Sequence, residues 1–246
     1  MNLLKSIPGP VLVFMGAFCL SFGGLIVKSF DDANLWQILF WRQIFFAIIV
    51  SLYLFIVYKK NFFKSFYVSG MPGFVAGFIL SLGFSAYVFS MYKTTVANTN
   101  FIIATETIFL ALFGYIFLKE KIKLITYISI FLGMLGVILI IGSSLSFQTN
   151  DEIIGNIVAF IMPISFAVLV IIIRKYPNVD MVPAQFTAGV FAAFIGLVIA
   201  GNLSISLHDL ILALIAGFFQ VGLGFILITI GSRTTPSAMV GILMLS

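Results

Sequence analysis

The sequence predicts an all-α membrane protein, a polytopic helical bundle. It is expected to form a 5+5 inverted repeat with the second repeat truncated, giving eight full transmembrane helices plus part of a ninth. Three observations predict it. Of 246 residues, 62% are hydrophobic and 9% charged, with a mean hydropathy of +1.23, whereas an ordinary soluble domain is about 25% charged. Apolar runs recur between clusters of Lys and Arg at the length of about 20 residues that a helix needs to cross hydrocarbon. The two halves of the chain also resemble each other at a nearly constant offset, as duplicated units do.

The composition excludes whole classes of function. A soluble globule must cover itself with polar groups, and this chain has too few. A soluble enzyme, a nucleic-acid reader and a disordered chain are therefore ruled out, even though the net charge is +5. The single cysteine, Cys19, excludes an intrachain disulfide, and the single histidine, His208, excludes a multi-histidine zinc site. No metal and no cofactor is expected. No P-loop, G-x-S-x-G or H-E-x-x-H motif occurs, so neither an enzyme nor a primary pump is expected within this polypeptide.

Taken in order, the predicted spans are Pro10–Val27, Leu35–Val57, Met71–Met91, Thr99–Leu118, Leu124–Ile141, Ile153–Ile173, Val182–Ala200 and Leu210–Ile230, with a ninth starting near Pro236. They are continuously apolar, where barrel strands would alternate, so they are helices. The N-terminal run is too long for a signal-peptide core and reads as a retained first helix. Pro163 is expected to kink the sixth span, because proline removes a backbone donor. Trp36, Trp41 and Tyr58 lie near span ends, where interfacial anchors sit. His208 and the Asn202-Leu203-Ser204 triplet fall in an outer loop, the first as a solvated side chain and the second as a weak glycosylation motif.

Charge fixes the expected orientation. With the N-terminus cytoplasmic, ten cations fall inside: Lys5, Lys59, Lys60, Lys64, Lys119, Lys121, Lys123, Arg174, Lys175 and Arg233. Only Lys28 and Lys93 fall outside. This is the asymmetry of a positive-inside membrane protein.

The repeat appears when the first half is shifted by 146 residues, which puts Gly9 on Gly155, Lys28 on Arg174 and Phe40 on Phe186. A shift of 140 puts Gly77 on Gly217 and Lys93-Thr94-Thr95 on Arg233-Thr234-Thr235. The predicted units are residues 1–142 and 143–246. Five helices is an odd number, so the second unit starts on the opposite face and the repeats are inverted, an architecture common in secondary transporters. Ser246 aligns with Glu106, so the chain reads as a truncated form of a ten-helix protein of roughly 280 residues.

Several segments resemble the drug/metabolite transporter superfamily, specifically its EamA-like ten-helix family. They are Phe40-Trp41-Arg42, Thr94-Thr95-Val96-Ala97, the fourth-span ending from Ala111 to Lys119-Glu120, Gly133-Met134-Leu135-Gly136-Val137-Ile138-Leu139, and Thr234-Thr235-Pro236-Ser237-Ala238. The resemblance implies a 5+5 carrier with a central cavity that moves small metabolites. One departure is Thr107, where family members often carry proline, so the break expected in the fourth span is softer.

Ionisable residues inside spans mark functional sites by default, because each costs about 2.5–3.5 kcal/mol at a helix centre on insertion scales. Glu106 and Arg42 are the two such residues. Glu106 is expected to face the cavity and bind a proton or a cationic substrate group, or else to hold helices together through hydrogen bonds. Arg42 has three readings: it snorkels to the outer surface, caps a neighbouring helix, or pairs directly with Glu106. Thr99 shares the Glu106 face. Tyr87, Gln185 and Gln220 are further candidates for hydrogen bonds to substrate. The stripes Gly73–Gly77–Phe84–Tyr87, Gly217–Gln220–Gly224 and Ala17–Ser21–Gly24 read either as close-packing faces or as cavity walls.

The expected function is that of a secondary transporter of small metabolites such as amino acids, working by alternating access in the bacterial inner (plasma) membrane. A proton is the candidate coupling ion, and a facilitative exporter is a close alternative. The expected partners are the lipid bilayer and a small-molecule substrate, with no nucleic acid; the oligomeric state is not legible in the sequence. An inactive or incomplete membrane fragment and a membrane-embedded enzyme are the rival readings.

Overall fold

The computed structural model describes residues 7–121 and 149–245, with isolated positions between them. Most of the fifth span (Leu124–Ile141) and the unit boundary at 142/143 lie outside the described residues. Among the described residues every regular element is a helix. Six helical stretches among the described residues are long and apolar enough to cross a membrane: Gly9–Lys28, Leu35–Lys93, Val96–Leu118, Asn150–Lys175, Val182–Ala200 and Leu207–Ser232. Large apolar side chains such as Phe18, Ile56, Phe117 and Val198 are exposed along their outer faces, as expected where lipid is the solvent. The protein is an integral membrane protein.

Local breaks divide these stretches. The first comprises α1 (Gly9–Ser21) and α2 (Gly23–Lys28), with the step at Phe22. The second comprises α3 (Leu35–Tyr58) and α4 (Phe62–Lys93). Between them Lys59 takes φ 48°, and Gly70 takes φ 54° inside α4. Gly70 is the natural occupant there, because it carries no Cβ to clash at positive φ. Trp36 lies against Phe89 and Phe46 against Phe84, so α3 and the later part of α4 run antiparallel.

The fourth predicted span comprises α5 (Val96–Ala104) and α6 (Glu106–Leu118), separated at Thr105. The break forms without a proline at position 107. Thr105 donates its hydroxyl to the Ile102 carbonyl at 2.5 Å, and its own N–H bonds the same carbonyl at 3.0 Å. A threonine hydroxyl bonding back into the preceding turn tightens and bends a helix much as a missing donor does.

The next stretch comprises α7 (Asn150–Ala159) and α8 (Ile161–Lys175). They part at Phe160, one turn before Pro163, which cannot donate to the Ala159 carbonyl. After α9 (Val182–Ala200) come α10 (Leu207–Ile215), a π-helical segment from Ala216 to Leu223, and α11 (Gly224–Ser232). The last element is α12 (Ser237–Met244).

Glycines set the close helix contacts, since van der Waals packing replaces hydrophobic exclusion as the glue in a bilayer. A Cβ added to Gly77 would stand 2.7 Å from Thr187 Cβ, and one added to Gly217 would stand 2.6 Å from Phe45 Cβ. Gly83 packs in the same way on Met162 and Ser165, and Gly224 on Gly16 and Leu20. Gly155 meets Lys93 and Thr94, while Gly9 meets Gly231, Thr234 and Thr235.

Polar ties close both ends of the bundle. At one end the Asp209 carboxylate accepts the backbone N–H groups of Asp31, Asp32 and Ala33 at 3.0, 3.2 and 2.9 Å. Gln37 donates to the carbonyls of Asn202 and Ser204, and Trp41 donates its indole N–H to that of Leu203. His208 is exposed, but its Nε2 stands 3.2 Å from the Ser29 carbonyl and 3.5 Å from Asp31, so it touches its neighbours instead of standing free. Lys93 pairs with Asp151 at 2.8 Å. At the opposite end Tyr58 donates to Asp180 and Arg233 to the Pro177 carbonyl. Trp41 and Tyr58 thus join helices to loops.

Candidate functional site

Four phenylalanines from four helices meet in the interior. Phe84 and Phe225 stand 5.0 Å apart edge to face, with Phe46 and Phe166 against them. Such edge-to-face pairs are favoured by ring electrostatics and make a stiff floor. Above it opens a cavity of about 330 Å³, within the range that holds small ligands. Its walls come from α1, α2, α3, α4, α5, α6, α8, the π-helical segment, α11 and α12.

Four polar residues predicted from the sequence line this cavity: Arg42, Tyr87, Glu106 and Gln220. The Ala17–Ser21–Gly24 stripe lines it too, and so does Asn100, which the sequence reading passed over.

Each polar side chain arrives there for a local reason. Glu106 is the first residue of α6 because the chain breaks at Thr105. A carboxylate in the first turn of a helix is stabilised by the unpaired N–H groups and the positive end of the dipole. The side chain is 3% exposed. Arg42 is 1% exposed, and its guanidinium carbon sits 5.3 Å from the centroid of the Tyr87 ring. A desolvated cation over an aromatic face gains about 2 kcal/mol. The Nε and Nη2 groups of Arg42 have no hydrogen-bond partner among the described residues.

Gln220 sits in the π-helical segment, a distortion frequent at functional sites. Its amide nitrogen lies 3.4 Å from the Leu20 carbonyl, and its Oε1 is buried without a partner among the described residues. Gly23, just past the step at Phe22, lets these groups come close. A Cβ there would stand 2.6 Å from the Tyr87 hydroxyl and 2.7 Å from Gln220 Nε2.

Two other predicted residues lie elsewhere. Thr99 is buried against Ser90, hydroxyl to hydroxyl at 2.7 Å, and does not line the cavity. Gln185 donates to Thr229 at 2.6 Å and is absent from the cavity wall as well. Helical spacing placed Thr99 on the Glu106 face, but the break at Thr105 shifts the face of α5 relative to that of α6. The direct Arg42–Glu106 ion pair is also corrected: the salt bridges among the described residues are Lys93–Asp151, Arg174–Glu120 and His208–Asp31. Arg42 is buried in the cavity wall and does not snorkel to the surface.

A second cluster, not singled out as a site from the sequence, closes one end of the bundle below the phenylalanine floor. Arg174 donates to Glu120 from Nη2 at 2.7 Å and from Nε at 3.1 Å. The other Glu120 oxygen accepts the Ser237 backbone N–H at 3.0 Å and the Ser237 hydroxyl. Arg174 Nη1 also reaches the Arg233 carbonyl at 3.3 Å. Burial alone would push the Glu120 carboxyl up. The hydrogen bonds from Ser237 and Arg174, with the guanidinium charge, outweigh it and hold the carboxyl below its ordinary value. The sequence signal was the Leu118-Lys119-Glu120 ending; its partners could not be read from spacing.

Residues 7–142 match the profile of the EamA-like transporter family. An uncharacterized transporter of Methanothermobacter thermautotrophicus is 29% identical over 157 residues, 61% of this chain and 46% of the relative. One of Clostridium kluyveri is 27% identical over 157 residues, 60% of this chain and 50% of the relative. The match thus spans about half the length of these relatives. A solved crystal structure of a protein superposes with a TM-score of 0.74 at 13% identity, over 96% of this chain and 83% of that one. At that identity the likeness concerns the fold alone.

Proposed function

The chain belongs to the EamA-like transporter family, and from that premise we propose that it is a secondary transporter of small metabolites, amino acids among them. It works by alternating access around the central cavity, in a bacterial inner membrane, with its N-terminus in the cytoplasm. The observation that carries the proposal is the meeting of Arg42, Tyr87, Glu106 and Gln220 at one buried cavity. Charges in hydrocarbon are costly and sit where solute passes.

Alternating access needs two halves that rock about a shared site, and the contacts support an inverted repeat. They exchange between the halves. Gly77 packs on Ala184 and Thr187, and Gly217 packs on Arg42 and Phe45. The Leu-Gly-Phe triplet at Leu82-Gly83-Phe84 recurs at Leu223-Gly224-Phe225, with Gly83 on the sixth predicted span and Gly224 on the first. The paired contacts of Gly77 and Gly217 match Arg42 with Ala184, and hence Gln43 with Gln185, four residues from the offset that put Phe40 on Phe186. Glu120, Arg174 and Ser237 tie the cytoplasmic ends of three spans and shut that side. Ser21 and Asn100, both exposed, line the cavity mouth.

Glu106 is the group through which a proton couples to transport. The test is uptake of a panel of small metabolites into proteoliposomes, with and without a pH gradient. Gradient-driven uptake that Glu106→Gln abolishes supports coupling. Full pH-driven transport by Glu106→Gln removes the proton role, and no solute flux above empty liposomes removes the carrier reading.

A further inference from the structure

We infer that the solute bound in this cavity is a small monocarboxylate with an apolar body, its carboxylate held by Arg42. The inference rests on reading the cavity as the transport site. Arg42 is fully buried, lines the cavity, and leaves Nε and Nη2 without partners among the described residues. Unpaired guanidinium donors in a low-dielectric site are costly. A planar carboxylate matches the guanidinium fork in charge and geometry. Tyr87 covers one face of Arg42, which pre-orients the fork and leaves its edge as the donor surface.

The rest of the wall selects within the anions. Among the described lining residues Arg42 is the one basic side chain and Glu106 the one carboxyl group. A phosphate dianion or a dicarboxylate would place its second charge in the field of Glu106 with no second cation to meet it. Most of the remaining wall is apolar, with Phe84, Phe166, Phe225 and Met162 forming one side. An apolar body rests there, and an ammonium group, where the solute has one, is drawn to Glu106.

The test is equilibrium binding to the purified full chain in lipid nanodiscs. The probes are 4-methylpentanoate, its uncharged isostere 4-methylpentanamide, leucine and 3-methylbutylamine. The acid and leucine are expected to bind at least ten-fold more tightly than the amide and the amine. Arg42→Gln is expected to remove that preference, and Arg42→Lys to restore part of it. Equal binding of acid and amide to the unaltered protein overturns the inference, as does failure of all four probes to bind; neither outcome depends on a variant that folds. Flux in proteoliposomes separates the two readings. Carrier-mediated flux of the amine or the amide with no preference for the acid leaves the transporter standing and sinks the carboxylate. Arg42-dependent binding of the acid with no flux of any solute does the reverse.

Discussion

Arg174, in the last turn of α8, grips Glu120, two residues beyond α6, through two guanidinium nitrogens, while the far oxygen of Glu120 takes both donors of Ser237 at the start of α12. One half-buried carboxylate thus ties three helix ends. Removing it should release that end of the bundle. Glu120→Ala and Arg174→Ala should each destabilise, and their double-mutant cycle should return a coupling of about 1–2 kcal/mol. Cysteines placed on the cavity wall should become more accessible from the Glu120 side of the bundle in either variant. Unchanged accessibility from both sides would make the cluster a static brace, not a latch.

The same carboxylate predicts an acid limb. Its folded pKa is depressed, so its contribution is fully present above the unfolded value of about 4.3 and drains away as pH falls through the folded value. Thermal stability in detergent should therefore drop below about pH 4, and Glu120→Gln should flatten that limb while lowering the neutral plateau. An acid limb of the same size in Glu120→Gln would assign it to other groups.

Gly23 should be intolerant for function more than for folding. A side chain there meets the ends of Tyr87 and Gln220, which can swing aside without moving backbone, at the cost of the contact between Tyr87 and Arg42. Swinging aside takes them out of the cavity wall. Gly23→Val should cut binding or transport at least ten-fold, with a melting shift of several degrees, equivalent to about 2 kcal/mol. Wild-type transport by Gly23→Val would show that neither side chain touches solute.

At the other end of the molecule, Asp209→Ala should cost about 1–3 kcal/mol, because it strands the buried N–H of Ala33 and removes the acceptor of the part-buried N–H groups of Asp31 and Asp32. Asp209→Asn keeps one carbonyl oxygen and should lose less. Equal melting of Asp209→Ala and the parent protein would mean that the loop finds other acceptors.

What was legible in the sequence follows from local chemistry. The continuous apolar runs and the Lys and Arg between them made membrane-crossing helices the solution, since only helices and closed barrels satisfy their backbone in lipid and barrel strands would alternate. Arg42 and Glu106 stood out because charge in such a run has a cost that needs a reason. The break in the fourth predicted span was harder to read. Proline is the familiar cause, and here Thr105 makes the break by bonding back to Ile102. The π-helical turn that carries Gln220 left no sequence signal beyond a scatter of glycines.

The sequence by itself determined residence in the bilayer, the order of the helices and the short roster of polar residues that could serve a solute. Tertiary structure decided which of them meet. Helical periodicity says only which face a side chain shares, and the partner on another helix depends on how closely backbones approach. Glycines at 23, 83, 217 and 224 set that approach. For that reason Arg42 rests over Tyr87 in the cavity wall, whereas Thr99 and Gln185 spend their hydrogen bonds on neighbouring helices.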